Sequence, residues 1–167
     1  MISRRDRSDQ ENRGGIISFA RVDVFNIVCV KVSADAERSW HYLHLDHGTI
    51  AICNWYRPGS SDDDHITSLR GELEEIRSEV IGCIIMGDCN IHHSRWLHFS
   101  NGNTPEGSLL KDICDDHGLQ QLVRKPTRGD YLLDLLLTDL DDCKIEVFEE
   151  IADHKGILAK FSLPCPK

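Results

Sequence analysis

Residues 81–90 read IGCIIMGDCN, and this stretch decides how the chain folds. Its first seven residues form a short apolar run, the signature of a strand buried on both faces. Gly87 then lets the backbone turn sharply and presents Asp88 and Asn90. Residues two apart in an extended chain point the same way. A carboxylate and an amide therefore face one spot beyond a central strand, where α/β sheets place their sites. Upstream, past Pro58-Gly59 and the acids Asp62, Asp63 and Asp64, the residues Ile66, Leu69, Leu73, Ile76 and Val80 recur at three- and four-residue steps. That stripe predicts an amphipathic helix. Earlier still, GGIISFA, NIVCVKV, SWHYLHL and TIAICNW are each strand-length and rich in β-branched or aromatic residues. Asp46–Thr49 between the last two carries the Asp and Gly of an antiparallel turn. Downstream, a second helix is expected from Thr104, with Pro105 in its first turn, Leu109, Leu110 and Ile113 inward, and a stop at Gly118. Strands LQQLV, LLDLLLT, KIEVF and GILAKFSL complete the chain. The pattern predicts an α/β layered domain with a mixed sheet over residues 14–163, a flexible polar lead-in over 1–13 that buries nothing, and a tail over 164–167.

The composition agrees. The chain has 167 residues, 40% hydrophobic and 28% charged, with 12 Gly and 5 Pro, as in one globular domain rather than a disordered or fibrous chain. Its net charge of −9 has the wrong sign for gripping nucleic acid by charge alone. No apolar run is long enough for a membrane span and no secretory leader opens the sequence, so an intracellular location, nuclear or cytoplasmic, is expected. The seven cysteines form no CxxC pair and are read as reduced core residues.

Two further positions carry chemistry. Asp134 interrupts the apolar run LLDLLLT, and a carboxylate in a buried strand costs several kcal/mol unless paired. Asp153-His154 lies between two strands and offers an acceptor beside a group that shuttles protons near neutral pH. Asp134 is positioned to orient the His154 ring. The site is thus expected where GDCN, Asp134 and Asp153-His154 meet at one rim.

GDCNIHHSRW (87–96), the NTPEGSLL helix start (103–110), KPTRGDYLLDLLLTD (125–139) and the closing ADH (152–154), together with NWYRP (54–58), resemble the endonuclease/exonuclease/phosphatase superfamily. Within it they are most similar to the apurinic-type endonuclease domain of non-LTR retrotransposons. That resemblance implies a layered α/β sandwich and a metal-dependent phosphodiesterase that nicks DNA, encoded within a reverse-transcriptase polyprotein. By the same resemblance Asp88 activates the attacking water and Asn90 holds the phosphate or that water. His154 stabilises phosphoryl charge, with Asp134 fixing its tautomer. Tyr56 donates to the phosphate, Asn103 and Arg128 support substrate, and Asp153 lies near a divalent cation, Mg²⁺ or Mn²⁺. The family's first strands, one with an Asn and one with the principal metal-binding Glu, have no match here, so a sandwich missing its first strands is expected. Glu11 and Glu37 are both read as surface residues and neither is assigned that role.

Other residues have plainer readings. His41, His44 and His47 do not converge on a strand and a turn, and the adjacent His92 and His93 cannot both face a site. Trp96 reads as a packing anchor, and Arg124 and Lys125 join Arg128 in the one basic cluster outside the start. Two alternatives to the nuclease stand: a catalytically degenerate remnant lacking the metal-binding Glu, and a superfamily phosphatase acting on a phosphomonoester or lipid head group.

Overall fold

The computed structural model describes residues 1–6, 15–21, 23, 26–59 and 63–162. The helix-start acid Asp62, the undecided Glu11 and the tail at 164–167 lie outside the described residues. The centre is a six-stranded sheet built from β3 (Ile27–Val32), β4 (Glu37–Leu45), β5 (Gly48–Tyr56), β6 (Gly82–Asp88), β7 (Gln120–Gln121) and β8 (Asp134–Thr138), in the order β3-β4-β5-β6-β8-β7. Only β5 and β6 run parallel. The connection between them is α1 (Asp64–Arg77), the crossover that a parallel pair requires. The antiparallel β4–β5 turn falls at Leu45↔Gly48, as expected. The helix α2 (Pro105–His117) begins where the sequence places it. Thr104 accepts from Gly107 N, Pro105 occupies the first turn, and Gly118 closes the helix with φ 68°. The domain is α/β with a mixed sheet.

The helices cover one face of the sheet. Buried there are Trp40, Cys53, Trp55, Ile85, Leu135 and Leu137 from the strands, with Leu69, Leu73, Leu110 and Ile113 from the helices. The buried Glu72 of α1 receives Arg38 Nε at 2.7 Å, Trp40 Nε1 at 2.6 Å and Ser33 Oγ at 2.5 Å. Its carboxylate is held below the usual range, because these partners outweigh the opposing effect of burial, the largest single influence.

The opposite face is covered by two separate hairpins, β1 (Ser3–Asp6) with β2 (Gly15–Ser18), and β9 (Cys143–Ile151) with β10 (His154–Phe161). The first docks through Ser3 Oγ to His41 Nε2 at 2.8 Å and through Asn54 Nδ2, which donates to Ser18 Oγ at 3.0 Å. A cavity of about 490 Å³, lined by Ile52, Met86 and Leu136 of the sheet and by Ile157, Ala159 and Phe161 of β10, lies on this face.

Three expectations are corrected. The lead-in over 1–13 is not featureless: Ser3–Asp6 forms β1, and Ser3 is buried. Its side chains are polar, but its order comes from main-chain pairing with β2, which side-chain hydropathy does not register. Glu37 is not a surface residue. It opens β4 and is buried. The strand expected over LQQLV is cut to two residues. Gln121 explains this by folding back on Val123, accepting its N–H at 2.5 Å and donating to its carbonyl at 2.7 Å.

Candidate active site

One transverse row crosses the end of the sheet. Glu37 faces Tyr56 across β4 and β5, Arg57 N donates to Asp88 O at 2.8 Å, and Asp88 faces Asp134 across β6 and β8. Gly87 makes this approach feasible: at φ 143°, a Cβ added there would lie 1.7 Å from Trp55 O. Any side chain at Gly87 would therefore push the Asp88 strand end away from β5.

The β9–β10 hairpin brings His154 over this row. Its Nδ1 lies 2.8 Å from Asp134 Oδ2, and its Nε2 lies 3.8 Å from Asp88 Oδ2. With Asp134 accepting from Nδ1–H, the ring presents Nε2 towards Asp88. Both carboxylates are largely shielded, at 16% and 17% side-chain exposure. Burial, and then the charge of Asp134, push the Asp88 carboxyl up to about 6, against the opposing pull of His154 and Asn90. Asp88 is therefore a carboxylate poised to exchange a proton near neutral pH.

Asn90 stands at φ 47°, a left-handed conformation that asparagine tolerates. Its N–H reaches Asp88 Oδ1 at 3.2 Å, and its Nδ2 donates to Arg57 O at 2.8 Å. The buried Arg57 returns the tie, donating from Nη1 to Asn90 O at 3.3 Å and approaching Glu106 of α2 at 3.7 Å. Sequence reasoning passed over Arg57, although its place beside Tyr56 in NWYRP was the available signal.

Asp88, Asn90, Asp134 and His154 thus come together, with Tyr56 next to them in the row. The remaining candidates do not join them. Asp153, assigned to the metal, sits in the hairpin turn and is engaged by Arg128 at 2.8 Å, with both side chains about half exposed or more. Asn103 accepts from Ser94 Oγ at 3.0 Å and serves its own loop. Among the described residues no group of three or more His, Cys, Asp or Glu could hold a metal ion. Asp88 and Asp134 both face His154, and would meet a hard cation together with a substrate phosphate, since Mg²⁺ is commonly held by one or two carboxylates plus phosphate oxygens.

A model of a family described as endonuclease-reverse transcriptase matches residues 50–158, more than half of the chain. Among solved structures, the endonuclease domain of TRAS1, a telomere-specific non-LTR retrotransposon, is similar with a TM-score of 0.66 at 18% identity, over 86% of this chain and 71% of that one. Beta toxin 275-280 from Staphylococcus aureus is similar with a TM-score of 0.50 at 13% identity, over 75% of this chain and 57% of that one. These two likenesses speak for the fold. No curated protein matches the sequence. No helix among the described residues is long and apolar enough to cross a membrane.

Proposed function

The chain belongs to the endonuclease-reverse transcriptase family, and from that premise we propose that it hydrolyses a phosphodiester bond of DNA at Asp88, Asp134 and His154. The observation that carries this reading is the imidazole held between two shielded carboxylates, fixed by Asp134 at 2.8 Å and open towards Asp88 at Nε2. Asp88 takes a proton from a water whose oxygen attacks phosphorus, so the P–O bond forms as the base becomes protonated. His154, protonated at Nε2, neutralises charge on the pentacoordinate phosphoryl oxygens. The bond to the leaving oxygen then breaks, that oxygen takes up a proton from solvent, and Asp88 returns to solvent the proton it accepted. Asn90 and Tyr56 hold the phosphate in line. A divalent cation, Mg²⁺ or Mn²⁺, would add charge neutralisation at the phosphate.

The incomplete set of metal-binding residues favours a second reading, a folded remnant of such a nuclease with little activity. Plasmid nicking by the purified chain across a Mg²⁺ series, beside Asp88→Ala and His154→Ala, separates the two. The nuclease reading expects nicking that strengthens with Mg²⁺ and falls by about 10² to 10⁴ in each variant. Wild-type nicking no faster than either variant would leave the remnant. Hydrolysis of a phosphomonoester in preference to DNA would instead point to a phosphatase.

A further inference from the structure

We infer that Phe99 and Tyr131 form a stacking subsite for a nucleobase splayed from the strand whose phosphate lies at Asp88 and His154. The inference rests on the phosphodiesterase reading and supplies what that reading lacks, a contact for the base.

The first observation is conformational. Among the described residues, four other than glycine have positive φ: Asn90, Asp142, Ala152 and Phe99. Asparagine and aspartate visit this region readily, and Ala152 lies in the turn between β9 and β10, where such angles are built in. Phe99, at φ 58°, also lies in a turn, but it is a bulky aromatic residue, for which this conformation is uncommon. A bulky residue there carries backbone strain that glycine would relieve. Packing does not repay it, since the Phe99 side chain is 49% exposed, while its neighbours Trp96 and Leu97 turn inward. The backbone thus spends conformational energy to hold an aromatic ring in solvent.

The second observation is placement. Phe99 O accepts from Leu132 N at 3.2 Å, which joins the 91–103 loop to the segment entering β8. Tyr131, just before Leu132, is 41% exposed and meets the His92 ring edge-on at 5.5 Å between centroids. Its turn is bound to the reactive row. Thr127 N donates to Tyr131 O at 2.8 Å, Thr127 Oγ1 accepts from Asp134 N at 3.0 Å, and Lys155 N, beside His154, donates to Thr127 O at 2.8 Å. Two exposed rings therefore stand on the segments that set Asp134 and His154. A nucleotide matches that layout, with an anionic phosphate on one side and a flat apolar base on the other.

Charge gives a third reason. At a net charge of −9 the chain cannot rely on counterion release for affinity, and Arg128 is already paired with Asp153. Aromatic stacking on bases is the contact that does not need positive charge.

The test measures binding to a fluorescein-labelled oligothymidylate and to a strand of equal length whose sugars carry no bases. The wild type should prefer the base-bearing strand by about tenfold, the worth of one stacked base. Phe99→Gly and Tyr131→Leu should bring the ratio close to one, whereas Tyr131→Phe should keep it. Phe99→Gly should melt no lower than the wild type, which separates loss of the ring from loss of the fold. Equal binding of both strands by the wild type, or an unchanged preference in Phe99→Gly and Tyr131→Leu, overturns the subsite, as does failure to bind either strand. Plasmid nicking by the same samples keeps the two proposals apart. Nicking without base preference leaves the phosphodiesterase reading intact, and base preference lost in the variants without wild-type nicking upholds the subsite alone.

Discussion

The two faces of the six-stranded sheet are made from alternate residues of the same strands, yet they are packed differently. Ile85 and Met86 are neighbours in β6. Ile85 points to the helices and is 1% exposed, while Met86 points to the cavity under the β9–β10 hairpin and is 36% exposed. The polar groups differ in the same way. Arg38 and Glu72 form a shielded pair on the helical side, whereas Lys160 and Glu146 on the β9–β10 hairpin pair in solvent. An apolar or charged residue in a strand thus acquires its energetic weight from the layer set over it. The helical face carries the stability of the domain. The other face meets the rim that carries Asp88, Asp134 and His154.

The contrast breaks most visibly at the ion pairs. Removing Arg38 leaves the Glu72 carboxylate buried without its cation, so Arg38→Ala should cost about 3–5 kcal/mol. Lys160→Ala, at 59% side-chain exposure, should stay within about 0.5 kcal/mol of the wild type. Urea melts of both variants measure the difference, and equal losses would show that the hairpin layer is as closed as the helical one.

A smaller gap is expected between the two neighbours of β6. Ile85→Ala empties a filled position and should cost about 2–5 kcal/mol, whereas Met86→Ala enlarges an existing cavity and should cost about 1 kcal/mol or less. Thermal unfolding of the pair sharpens the comparison. Losses of similar size would mean that something covers Met86 in solution.

The smallest effect belongs to the rim. In the folded chain the Asp88 carboxyl titrates at about 6, above its unfolded value near about 4. Between these values the folded state binds more protons than the unfolded one, so stability falls as pH rises through that window and stays lower above it. Asp88→Asn should remove this dependence and raise stability at neutral pH by about 1–2 kcal/mol. A melting series from acid to neutral pH checks the sign. A wild type that stabilises across the window would contradict the assignment.

Much of the site was legible because its signals are local. Asp134 was an expensive carboxylate in an apolar strand, and it proves to hold His154 at 2.8 Å. Asp88 and Asn90 followed from a buried strand ending in glycine. The misreadings arose where a residue's partner lies far along the chain. Glu37 read as a surface residue until β5 placed Tyr56 opposite it. Likewise, nothing near Asp153 in the sequence shows that Arg128 of the 127–131 turn pairs with it. Nothing in the order of residues 96–101 marks Phe99 as the one whose backbone turns left-handed.

From the sequence alone came the central strand, both helices, the caps of α2, the α/β class, and Asp88, Asn90, Asp134 and His154 as one cluster. These follow from hydrophobic period, capping chemistry and the cost of burying charge, all written in residues close together. The tertiary structure decided that polar Ser3–Asp6 is a strand, that Arg57 clamps Asn90, that Asp153 belongs to Arg128, and that the hairpin face keeps a cavity of about 490 Å³. Each of these depends on which distant main-chain group or opposite charge comes within reach, and only the closed fold sets that distance.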